Sequence, residues 1–201
     1  MVSLETAKAI IEKATGFGRP SAAEARRLLR QVTPTVGRFE DDGKTPNNPA
    51  LPLLHYKSVV RLDPRFDPAA IFEVLFEANG WVKSWRDGIY PYNHFHTATH
   101  EVIGIARGQC RVRYGGSDGT IYPLLAGDVV VVPAGVGHRR LTASRSLLVV
   151  GAYPRNGGDY DEPRPGEIAH DRAVASIATV LKPTADPVGG ESGALGRLWG
   201  R

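Results

Sequence analysis

One cysteine, one methionine and no long apolar run are the first bounds on this 201-residue chain. With Cys110 alone an internal disulfide is impossible, so stability has to come from a packed core. No stretch approaches the ~20 apolar residues of a membrane-crossing helix. Glu5, Lys8, Glu12 and Lys13 interrupt the N-terminus where a secretory leader needs an unbroken apolar core. A soluble, cytoplasmic protein without a membrane partner is expected. Blocks of like charge are missing too. The 25 Lys and Arg against 21 Asp and Glu leave a net charge of only +4, with the arginines scattered. That distribution argues against a nucleic-acid partner, and Gly16–Pro20 lacks helix-turn-helix chemistry.

A chain of this length buries about 70% of its unfolded surface, enough for one independent core. Ser3 is placed to cap a helix through Ala14. Ser21 followed by Glu24 is a capping-box pattern opening a second helix to Val32, whose Arg26, Arg27 and Arg30 form a basic face. Thr33–Pro52 is rich in Pro, Gly, Asn and Asp and reads as a long surface loop. Leu54–Leu62 is strand-like but has no hairpin partner in sequence. Such an uncapped strand is a template for a second copy, so a homodimer is expected.

Asp67 and Pro68 open a further helix that ends near Gly80, with Ile71, Val74, Leu75 and Ala78 as its apolar stripe. Trp81 and Trp85, of like strand parity, are expected in the same core. Strands then follow in quick succession: Tyr90–Thr97, His100–Ala106, Cys110–Tyr114, Thr120–Leu124, Val129–Val132, His138–Thr142 and Leu147–Tyr153. Short strands divided by turns at this frequency argue a closed, all-β architecture. A helix over Glu167–Val180 and a glycine-rich tail pinned by Leu195, Leu198 and Trp199 complete the chain.

The chemistry concentrates between Gly88 and Thr142. His94 and His96 are two apart, so on a strand both leave the same face. Glu101 and His138 are the nearby groups that complete a set of three imidazoles and one carboxylate. Such a set suits a divalent first-row metal (Fe, Mn, Ni or Zn) and leaves positions free for other ligands. His55 and His170 are read as structural or exposed, and His100 as supporting the site or lying at the surface. Parity carries the reading to substrate contacts at Tyr92, Ile103, Ile105, Arg140 and Thr142, a mostly apolar lining. Arg140 there suits an anionic group on a small-molecule substrate.

These spacings resemble the two motifs of the cupin family. Gly88, His94, His96, Glu101 and Gly108 match G-x5-H-x-H-x4-E-x6-G. Gly127, Pro133, Gly135 and His138 match G-x5-P-x-G-x2-H-x3-N, with Thr142 in place of Asn. The run His-x-His-x-x-x-His-Glu-Val-Ile-Gly-Ile and the Ala185-Asp186-Pro187-Val188 tail narrow the likeness to the small YjlB-like bacterial cupins. The resemblance implies one double-stranded β-helix (jelly-roll) barrel with the metal inside. The barrel would span 54–153, between an N-terminal helical extension and loop (1–53) and a C-terminal helix and tail (154–201), all one domain. The activity it implies is that of a metal-dependent small-molecule enzyme such as a dioxygenase. A Lewis-acid isomerase or lyase, or a binding and sensing module without turnover, are the alternatives.

Overall fold

The computed structural model describes Gly18–Gly200, so the helix expected over Ser3–Ala14 lies outside the described residues. Among these residues nine strands and four helices follow one another as α1 (Ala22–Arg27), β1 (Thr35–Phe39), β2 (Asn48–Tyr56), α2 (Pro68–Ala78), β3 (Trp81–Asp87), β4 (Glu101–Arg107), β5 (Gln109–Tyr114), β6 (Thr120–Leu125), β7 (Val129–Val132), β8 (His138–Ala143), β9 (Leu148–Pro154), α3 (His170–Ala178) and α4 (Ala194–Leu198). Ser21 and Glu24 form the expected capping box, but the first of these helices ends at Arg27, short of Val32. No helix among the described residues is long and apolar enough to cross a membrane.

The strands make two antiparallel sheets packed face to face around an inner apolar cluster, in keeping with the all-β core expected. One is six-stranded, in the order β1-β2-β7-β4-β9-β3, and the other three-stranded, β6-β5-β8. β7 shows how the layers are built. Val130 and Val132 point into the space between the sheets, while Val129 and Val131 join an outer cluster beneath the helices. Both faces are buried, which is why this strand is an unbroken valine run rather than an alternation.

α2 covers the outer face. Asp67 caps it by accepting from Ala69 N at 3.1 Å, and Pro68 takes the first helical position, where its missing N–H costs nothing. Ile71, Phe72, Leu75 and Phe76 are fully buried, each contributing roughly 1.5–3 kcal/mol of gross burial energy. The helix approaches the sheet so closely that a Cβ on Gly104 would overlap the Phe72 ring. Leu195 and Trp199 of the tail join this same outer cluster, as expected of a pinned terminus.

Three expectations are corrected here. Thr33–Pro52 is not a loop, because it carries β1 and the first half of β2, and the sheets therefore begin at Thr35 rather than 54. Strand Leu54–Leu62 is not an edge either. The strand ends at Tyr56, and its Leu54 and His55 pair with β1 on one side and β7 on the other. Trp81 and Trp85 do not share a core: Val82 pairs with Tyr153 but Trp85 with Gly151, so β3 carries one extra residue. The bulge, with Lys83 at φ 54°, reverses parity. Trp81 joins the outer cluster and Trp85 packs on the inner one.

Candidate metal centre

His94, His96 and His138 come together inside the barrel, with ligand atoms within 4.8 Å of one another, and all three are buried. Their segment of chain is irregular. Tyr90–Thr97 was expected to be a strand, but Pro91 has no N–H to give to a ladder and Phe95 N donates to Pro163 O instead. What remains is a single bridge between His94 and His138. The two-residue spacing still sends His94 and His96 to the same side.

Each imidazole is fixed in one tautomer by a backbone carbonyl. His94 Nδ1 donates to Tyr92 O at 3.3 Å, His138 Nδ1 to Val136 O at 3.0 Å, and His96 Nδ1 to Asp161 O. A carbonyl can only accept, so the proton sits on Nδ1 and Nε2 keeps its lone pair for a ligand. Glu101 heads β4 and turns inward with Ile103 and Ile105. Its Oε2 lies 3.3 Å from His96 Nε2 and 3.4 Å from His138 Nε2. Three buried histidines of this kind can hold a metal ion, and a carboxylate beside them is the chemistry that offsets part of a 2+ charge.

The electrostatics differ between the imidazoles. Burial and the two neighbouring imidazoles push His94 down to about 3, so it stays neutral and able to coordinate. Burial opposes charge on His96, yet the Glu101 carboxylate overcomes it and raises its pKa. For Glu101, burial acts upward, but the neighbouring His96 and His138 rings hold it well below the carboxylate range.

Two stretches with no motif hold these histidines in place. Asp161 spans the His96 turn: its carboxylate accepts from Thr97 N at 2.8 Å and Thr97 Oγ1 at 2.6 Å, while its carbonyl takes His96 Nδ1–H. Asn47 and Asn48 hold the turn before His138. Asn47 Oδ1 accepts from Gly137 N at 3.1 Å, and Asn48 Nδ2 donates to Ala134 O at 2.9 Å. Gly135 in that turn has φ 88°, and a Cβ there would strike the Asn47 carbonyl. His100 is buried on the opposite face from Glu101, accepting from Ala134 N at 2.9 Å and packing on Trp199. It is no surface residue but a support for the same turn. His55 is also internal, 3.1 Å from Asp128, and His170 reaches Asp41 at 2.8 Å near the surface.

The four groups open into a cavity of about 440 Å³. Trp85, Ile89, Tyr90, Tyr153 and Tyr160 wall it, and of the five expected substrate contacts only Ile103 lines it. Ile105 points the same way but is packed into the core below. Tyr92 stacks on Tyr90 at 4.8 Å and beneath the Arg164 guanidinium, beside the cavity rather than in its wall. Arg140 shares the His138 face, but its Nε is held by Ile89 O at 2.9 Å. Thr142 turns away: β8 pairs Arg140 with Val112 but Thr142 with Arg111, so an extra residue reverses its direction, and it is exposed. Tyr153 and Trp85 were missed as lining. Their inward parity with Gly151 and Val149 was the available signal.

No family model matches the chain. YjlB of Bacillus subtilis (strain 168) is 35% identical over 161 residues, covering 80% of this chain and 93% of the relative. This chain belongs to the YjlB family. Partial likenesses among solved structures include acireductone dioxygenase from Bacillus anthracis with cadmium in its active centre. It is 17% identical with a TM-score of 0.38, over 54% of this chain and 82% of that one. Oxalate decarboxylase of Bacillus subtilis, with Mn(II) centres, is 20% identical with a TM-score of 0.33. There 56% of this chain is covered but only 27% of the decarboxylase.

Proposed function

We propose that this cupin is a metal-dependent enzyme acting on a small molecule, with dioxygenation as the first reaction to test. His94, His96, Glu101 and His138 are its ligands, and the ion is Fe, Mn, Ni or Zn. The reading rests on one observation: three imidazoles have Nδ1–H committed to carbonyls, and Glu101 Oε2 lies beside two of their Nε2 atoms. A divalent ion bound there supplies Lewis acidity, or redox exchange with dioxygen. The rest falls to the chain itself. The aromatic walls shelter the site, and the backbone carbonyls keep the imidazoles aimed.

Elemental analysis of protein purified without added metal is the test, followed by oxygen uptake over catechols, thiols and keto acids. A chain without stoichiometric transition metal sinks the reading. Turnover that persists under strict anaerobiosis moves it to a Lewis-acid isomerase or lyase.

Homodimer assembly is part of the proposal, but its edge is different from the one expected. β1 pairs with β2 alone among the described residues, and Val36 in it is half exposed. Light scattering at micromolar concentration tests it: a mass of one chain removes the dimer.

A further inference from the structure

The C-terminal tail packs against His100, the neighbour of Glu101 in sequence. Its anchor is Asp186, a buried carboxylate that takes the Tyr56 hydroxyl and the N–H groups of Val188 at 2.8 Å, Gly189 at 3.0 Å and Leu195 at 2.9 Å. Asn79 Nδ2 adds a bond to Pro187 O at 2.8 Å, and Trp81 Nε1 one to Ala185 O at 2.9 Å. From this anchor α4 carries Trp199 into the outer cluster, where its indole N–H meets Pro52 O at 2.9 Å.

One edge of the His100 ring is bonded and the other is not. Nδ1 accepts from Ala134 N at 2.9 Å, so the proton of the neutral ring sits on Nε2. That buried N–H faces the Leu181 backbone without a hydrogen bond in range. What steadies this side of the ring is Trp199, its centroid 4.8 Å away. Beyond Ala134 the turn touches two of the clustered histidines. Gly135 N donates to the His96 carbonyl at 2.8 Å, and Val136 O receives the His138 Nδ1 proton at 3.0 Å. A contiguous path thus runs from Trp199 through His100 and Ala134 to His96 and His138.

We infer, on the metal reading above, that the C-terminal tail is a clamp on the metal centre: Trp199, docked on His100, positions the Pro133–Gly137 turn, so that metal affinity depends on the tail and a bound ion tightens the tail in return. Trp199 and His100 are positioning residues outside the ligand set. The two effects express one coupling free energy and are equal in size. A tail whose undocking weakens metal binding ten-fold must open ten-fold less often when the ion is bound.

The test uses full-length protein with zinc as the probe. Its Kd is read by chelator competition, and tail opening by hydrogen exchange of the 194–199 amides with and without zinc. Wild type is expected to bind one zinc per chain. The ion should slow exchange in 194–199 about ten-fold or more, while the surface helix α1 keeps its rate. Trp199→Leu, which keeps apolar bulk but removes the ring, should raise the zinc Kd about ten-fold or more. Trp199→Phe restores a ring and should stay within about three-fold of wild type. Phe76→Leu removes a ring from the same outer cluster but on α2; it should lower the melting temperature and leave the Kd within about two-fold. A wild-type Kd in Trp199→Leu overturns the clamp and leaves the metal site standing. Equal loss of affinity in Phe76→Leu also overturns it, since general loosening is then the cause. Should Trp199→Leu not fold, exchange in wild type decides alone: amides of 194–199 that are not slowed by zinc, or are slowed no more than those of α1, overturn the clamp. Failure of wild type to bind zinc removes both the clamp and the metal reading beneath it.

Discussion

The backbones of His94 and His138 exchange two hydrogen bonds, His94 N–H to the His138 carbonyl at 3.2 Å and the return bond at 2.9 Å. Their rings lie 4.1 Å apart, centroid to centroid. Two imidazoles from distant parts of the sequence are thus placed by main-chain pairing, which survives a change of side chain. A ligand can be deleted here without dismantling the scaffold.

His96→Ala is accordingly expected to abolish stoichiometric metal binding. It should also lower the melting temperature of the metal-loaded protein, because an ion bound only by the folded form adds to folding free energy. His55→Ala is the contrast. His55 is buried against Asp128, so its loss should cost roughly 1–3 kcal/mol by leaving a buried carboxylate short of a partner. Metal content should not change. Elemental analysis with thermal melts separates the two, and full metal content in His96→Ala would remove the site assignment.

Asp161→Ala should weaken metal binding without touching a ligand. Its carboxylate holds the Thr97 turn, and the same residue's carbonyl receives the His96 proton. Loss of such an outer partner costs about 10–100-fold in metal affinity. A chelator competition titration reads this directly, and an affinity within two-fold of wild type would mean that the turn holds itself.

The sequence made the inner face of β4 legible, because Glu101, Ile103 and Ile105 follow an unbroken period of two. Parity failed wherever a strand gained a residue. The bulge at Lys83 separated Trp81 from Trp85, and the one in β8 turned Thr142 outward. Pro49 and Pro52 disguised β2 as a loop. The ladder to β7 uses only Leu54–Tyr56, so neither proline is asked for a hydrogen bond there. That His94, His96, Glu101 and His138 gather in one place was readable from spacing, whereas Asp161 and Asn47 act through tertiary contacts that no local pattern encodes.

Gly104→Ala probes the helix-covered face. The new methyl group would overlap the Phe72 ring, and Phe72 is itself fully buried in α2. Overpacking of this kind costs typically about 1–3 kcal/mol. Urea denaturation should show a lower midpoint with an unchanged slope, and a midpoint equal to wild type would mean that α2 lifts at no cost.

Asn47→Ala tests whether the region ahead of the barrel motifs serves the metal. Asn47 donates to Glu40 O and Gly115 O through its amide nitrogen, and its oxygen accepts Gly137 N. It also stands at φ 50°, a left-handed conformation that Asn tolerates better than Ala. The substitution therefore strains the chain and frees the turn that aims His138. Asn47→Gly relieves the strain but still removes the side chain. Both variants should lose metal affinity by about 10-fold or more, while Asn47→Gly should keep more of its thermal stability than Asn47→Ala. If Asn47→Gly bound metal like wild type, the side chain would matter for folding alone, and the Pro133–Gly137 turn would hold His138 unaided.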